Sequence, residues 1–87
     1  MKIVLDFKNI KNKNDFHKLL KKGLSLDNYG NNLDSLYDEL TSKFEDIEII
    51  IENINTLYET LGSYTDSFKN LLEDIKEECE NIKILYK

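Results

Sequence analysis

The side chains that could do chemistry in this 87-residue chain are carboxylates, and two of them stand at a telling spacing. Asp34 and Asp38 lie four residues apart in LDSLYDEL, residues 33–40. Leu33, Leu36, Leu40 and Phe44 fall at i, i+3, i+7 and i+11, so they form one buried helical stripe. Both aspartates then share the solvent side. Two like charges one turn apart cost an isolated helix roughly 0.2–0.5 kcal/mol. Tyr37 stands at the edge of the apolar stripe beside Asp38. A polar turn, Asn28-Tyr29-Gly30-Asn31, leads into the helix and presents a second exposed aromatic. Such carboxylates could do acid–base work, hold a hard cation or meet something positive.

Other chemistries lack their parts. The one histidine, His17, follows Phe16 in an earlier helical segment with no serine or cysteine nearby, and reads as an ordinary surface or half-buried residue. Gly23, Gly30 and Gly62 are too scattered for a phosphate loop. One histidine and one cysteine cannot make a His/Cys metal site. A hydrolase built on Asp34 and Asp38 alone lacks a third ligand and a positioned base. The chain is therefore expected to be no enzyme, with no catalytic residues, no metal and no cofactor.

Charge narrows the choice of partner. Seventeen acidic against twelve basic residues give a net charge of -5 and a pI of about 4.8. That balance argues against nucleic acid as the ligand and suits a basic protein. No apolar run approaches the length of a membrane span, and Met1 to Asp6 turns polar too soon for a signal peptide. Cys79 has no partner for an internal disulfide, which fits a reducing compartment, and it lies on a helical apolar stripe as a small buried hydrophobe. A cytoplasmic location follows as an expectation, with residues 1–87 forming one domain that buries a little over about 60% of its unfolded surface.

The elements that must position the aspartates read in order. Lys2 to Phe7 is a strand whose consecutive Ile3, Val4 and Leu5 suit cover on both sides. Asn14 caps a helix bearing Phe16, Leu19 and Leu20, with Lys21 and Lys22 in the last turn and Gly23 as its stop. Leu24 and Leu26 anchor the loop that follows. Ile47 to Glu52 is the strongest strand signal and belongs at the centre of the sheet. A short helix over Ile54 to Leu61 faces Leu57, Tyr58 and Leu61 inward and ends at Gly62. From about Asp66 to Glu80, capped by Thr65 or Asp66, Phe68, Leu71, Leu72, Ile75 and Cys79 define one buried face. Ile82 to Tyr86 closes the chain as a strand with Lys83 outward. Strands separated by helices predict an α/β fold with a small parallel sheet.

The run YGNNLDSLYD, residues 29–38, resembles the signature of the barstar family, the intracellular inhibitors of barnase-type ribonucleases. That family typically reads Tyr-Tyr-Gly-x-Asn-x-Asp-Ala-Leu-x-Asp here. The order of the other elements fits as well, so the resemblance covers essentially the whole chain. It implies a barstar-like fold, with a three-stranded parallel sheet in order 1-2-3 packed with helices in two layers. It also implies a protein inhibitor that occludes the basic active site of a ribonuclease in a 1:1 complex, without a small-molecule substrate. Asp38 matches the aspartate that enters the nuclease's phosphate-binding site, and Asp34 its neighbour at the rim. Tyr29 matches one of a tyrosine pair, Asn32 an asparagine of the same turn, and Asp74 an acidic residue on the last helix. Tyr37 stands where the family has tryptophan, and Ser42-Lys43 where the type member has Gly-Trp. The same acidic surface also suits an immunity or binding protein for a different basic protein or toxin.

Overall fold

Ile47, Ile49 and Ile51 leave the helical layer few alternatives: three β-branched side chains at period two make one continuous wall, and β2, Ile47–Glu52, carries it in the middle of the sheet. The computed structural model describes residues 1–87. Strand β1 spans Lys2–Asp6 and β3 spans Ile82–Tyr86, both parallel to β2, in the order β1-β2-β3. Register sets Ile3 beside Ile49 and Ile49 beside Ile84, and Leu5 beside Ile51 one row on. Four α-helices complete the chain: α1 Lys13–Gly23, α2 Leu33–Thr41, α3 Leu57–Leu61 and α4 Tyr64–Glu78, with a 3-10 turn at Ile54–Thr56 before α3. The inner wall of the sheet and the apolar faces of α1, α2 and α4 close one core of 20 residues. A compact α/β fold with a three-stranded parallel sheet results, as the sequence predicts.

Several details depart from the sequence reading. Val4 is 53% exposed, so β1 is covered on one side only. Its register neighbours Ile50 and Leu85 complete an outer apolar row, in which Ile50 is shielded while Leu85 stays half-open. Asn12, not Asn14, caps α1: its side chain accepts from the Asp15 amide at 2.8 Å. Gly23 belongs to the helix rather than stopping it, and Leu24 is the cap. A Cβ at position 23 would come within 2.5 Å of Leu5 Cδ2, so the missing side chain lets α1 lie close on β1. Helix α4 begins at Tyr64 without a side-chain cap, and Thr65 is buried inside its first turn. Tyr58 turns outward, where its hydroxyl donates to Asp66 Oδ1 at 2.5 Å.

The largest departure concerns α2. It ends at Thr41, and Phe44 is 95% exposed instead of extending the buried stripe. Hydroxyl groups end the helix. Thr41 Oγ1 donates to the Tyr37 carbonyl at 2.7 Å and Ser42 Oγ to the Glu39 carbonyl at 2.9 Å. The Glu39 carbonyl is the one that the Lys43 amide would need in a longer helix, and that amide bonds to the Leu40 carbonyl at 3.2 Å instead.

Candidate functional site

The acidic helix rests on a loop held from beneath. Leu24 and Leu26 are buried, and the Leu26 amide donates to the Lys21 carbonyl at 3.0 Å. Tyr29 is only 8% exposed, so the surface aromatic expected at this turn is a core residue. Its hydroxyl sits 2.5 Å from Nδ1 of His17, whose Nε2 lies 3.1 Å from the Tyr64 hydroxyl. His17, expected at or near the surface, is thereby sandwiched between two phenols. Burial, with Lys13 as a lesser cause, holds its pKa below the usual 6.5. The imidazole is thus neutral at pH 7, with one ring nitrogen donating and the other accepting, so one phenol accepts and the other donates. Burial also raises the pKa of both phenols and keeps them protonated.

Above Tyr29 the backbone turns through Asn31, which is left-handed with φ of 56°. The Gly30 amide donates to Ser35 Oγ at 2.8 Å. Asn32 caps α2 by accepting from the Ser35 amide at 2.7 Å, while its Nδ2 donates to the Gly30 carbonyl at 3.1 Å. Both ends of that amide are engaged within the loop, so Asn32 positions the helix. The Asn28 amide donates to Glu39 Oε1 at 3.1 Å, tying the far side of the turn to the helix it introduces.

What this frame presents is a set of unengaged carboxylates. Asp34 and Asp38 are exposed on α2. The only ion pair in the molecule joins Lys76 to Glu73 at 3.8 Å within α4, so neither aspartate has an internal counter-ion. Asp38 lines an open, wholly polar concavity of about 320 Å³ with Asn28, Ser35, Glu39 and Ser42. Asp34 lies one turn nearer the helix N-terminus, where the dipole favours an anion. Tyr37 is half-buried and packs on the core. Asp74 is exposed on α4, the helix against which α2 packs. The fold thus gathers Asp38 and Ser42 at one concavity and puts Asp34 on the same helix. It gives Tyr29 and Asn32 the work of support.

Sequence reasoning missed three residues. Glu39 was hidden by its place beside Asp38, and only its bond to the Asn28 amide shows what it does. His17 gave no local sign of its two phenol partners, which are 12 and 47 residues away. Phe44 was concealed by the very periodicity that located the helix. No three His, Cys, Asp or Glu side chains converge as a cation site would require, and no helix is long and apolar enough to cross a membrane.

A family model described as Barstar (barnase inhibitor) matches residues 1–87, the whole chain. The chain belongs to the barstar family. Membership agrees with the parallel three-stranded sheet in order β1-β2-β3 and with the acidic helix that follows β1 and α1. Barstar-family proteins are inhibitors, with barnase-type ribonucleases as their protein partners. No curated protein matches the chain in sequence.

Proposed function

We propose that this barstar-family chain inhibits a barnase-type ribonuclease by covering the enzyme's basic active site with α2 and the loop before it. The observation that carries this is the pair of exposed aspartates, Asp34 and Asp38, without internal counter-ions on a helix fixed at its N-terminus by Asn32 and Ser35. A ribonuclease must bind phosphate, so its cleft is lined with Arg, Lys and His. Carboxylates placed where phosphate oxygens would lie accept paired, charge-assisted hydrogen bonds from such groups. Asp38, beside Ser42 in the polar concavity, is the principal contact. Asp34 meets the rim of the cleft, while Tyr37 and Asp74 extend the covered area. Tyr29 and Asn32 act through the shape of the loop.

Because the helix that carries the carboxylates is fixed before the partner arrives, little backbone ordering cost falls on binding. The acidic surface also draws a basic partner in, raising association above the about 10⁵–10⁶ M⁻¹s⁻¹ of uncharged docking. The complex is 1:1, and the inhibitor acts in the cytoplasm as a binding protein, without a cofactor.

The test is RNA cleavage by a barnase-type ribonuclease with the protein titrated in, beside its Asp38→Ala variant. Inhibition that saturates at one equivalent, and that the variant loses, is the expected outcome. Equal inhibition by both would remove Asp38 from the interface.

A further inference from the structure

Phe7, Phe16 and Phe68 are all but fully buried, whereas Phe44 is almost entirely in water. A single exposed apolar side chain is ordinary in a folded protein. What sets Phe44 apart is that its backbone is fastened in the exposing position. Asn81, one residue before β3, donates from Nδ2 to the Lys43 carbonyl and to the Glu45 carbonyl, each at 2.9 Å. One amide nitrogen thus holds the carbonyls of the two residues that flank Phe44. The Lys43 amide donates to the Leu40 carbonyl at 3.2 Å, and the Ile47 amide to the Asn81 carbonyl at 2.8 Å. Four hydrogen bonds therefore fix a five-residue connection whose central side chain touches nothing it needs for folding.

The surroundings define what would suit the ring. Phe44 borders an open concavity with Thr41, Lys43, Glu77, Glu78 and Glu80. Thr41 adjoins Ser42, which lines the concavity of Asp38, so the chain passes directly from one hollow to the other at the C-terminal end of α2. An aliphatic partner side chain would cover the ring only by desolvating the carboxylates around it. A guanidinium does better: it is weakly hydrated, stacks on an aromatic face and pairs with carboxylates. A partner with a basic cleft carries such groups at its border.

We propose that Phe44 is an anchor of the same interface, on which an arginine guanidinium of the ribonuclease stacks beside its cleft. This assignment rests on the inhibitor reading above. It makes Phe44 a determinant of which nuclease the chain selects, since a rim without an arginine at that point gains nothing from the ring.

The experiment is calorimetric titration of a catalytically inactive barnase-type ribonuclease with the wild type and with Phe44→Ala, Phe44→Leu, Phe44→Trp and Asp38→Ala. An exposed side chain is changed at position 44, so each variant there folds as the wild type does. Phe44→Ala is expected to bind about tenfold more weakly. Phe44→Leu should lose nearly as much although it keeps most of the apolar area, and Phe44→Trp should bind at least as tightly as the wild type. If Phe44→Leu binds like the wild type, the contact is merely apolar and the guanidinium assignment is overturned. If Phe44→Ala also binds like the wild type while Asp38→Ala does not, Phe44 lies outside the interface and the inhibitor reading survives without it. A wild type that fails to bind the ribonuclease overturns both.

Discussion

Helices α1 and α2 are built alike and charged oppositely. Each starts at an asparagine whose side chain accepts from an amide three residues on, Asn12 from Asp15 and Asn32 from Ser35. Each buries an apolar stripe against the same core. On α1 the charges follow the helix: Asp15 lies in the first turn, and Lys21 and Lys22 lie at the carbonyl end. On α2 they do not. Its last turn holds no cation, and Asp38 sits there one turn from Asp34. The first helix uses its charge to stabilise itself, and the second holds its charge against its own stability. Violations of a local rule by a segment that is otherwise well formed are expected where function has set the residues. The contrast extends to the whole chain, since the first 22 residues carry seven of the twelve basic residues and only two of the seventeen acidic ones.

This contrast can be broken most directly by giving α2 the charge pattern of α1. Asp38→Lys removes the like-charge pair, puts a cation in the last turn and gives Asp34 an ammonium partner four residues on. Binding to a ribonuclease should fall by about 2 kcal/mol or more, the loss expected of an interface hot spot, in a general range to which complexes of this family have themselves contributed. Folding stability should rise by about 0.5–1 kcal/mol, read from urea denaturation. Loss of stability in this variant would mean that Asp38 is structural and that the two helices do not differ as described. Lys21→Ala in α1 is the counterpart, with no loss of binding.

A second variant tests the support under α2. Tyr29→Phe keeps the ring and deletes the hydroxyl beside His17 Nδ1. A buried imidazole nitrogen left without a partner should cost about 1–3 kcal/mol of stability. Tyr37→Phe, at a half-buried site, should change stability by less than about 0.5 kcal/mol.

The smallest effect is a pH dependence that belongs to α1. Burial keeps the His17 pKa below 6.5 in the folded protein, so the unfolded chain takes up the proton first. Stability is then complete above pH 6.5 and declines as pH falls through 6.5 towards the folded value. Urea midpoints measured across this window should slope in the wild type and flatten in His17→Gln. A more acidic window is separate. Hydrogen bonds from Asn53 and from the Lys8 amide hold the Asp6 pKa below its ordinary value, so its contribution disappears only as pH falls below about the usual carboxylate range.

What could be read in the sequence was whatever a short window decides. The isoleucines of β2, the buried face of α4 and the two aspartates one turn apart all announce themselves within a dozen residues. Strand order came from the family resemblance, because periodicity does not rank parallel strands. The errors fall where distant partners decide. Phe44 continues the spacing of Leu36 and Leu40, yet the helix ends before it, where Ser42 takes up the Glu39 carbonyl, and Asn81 fixes the connection from 36 and 38 residues away. Tyr29 looks like a surface residue of a polar turn until His17 is seen beneath it. Val4 reads as doubly covered because an apolar run cannot say that one side of the sheet lacks a layer. Within the site, then, the residues offering charge were legible, whereas those giving the charge its position were not.

The amide of Asn81 has a consequence for the order in which the protein becomes competent. Residues 27–44 leave the ribosome well before position 81. A nascent chain already holds the two aspartates, but the connection around Phe44 has no fastening until the residue preceding the third strand arrives. The proposed binding surface is finished only when the last strand is in place, so a truncated or stalled product would hold the acidic residues without the fastened connection.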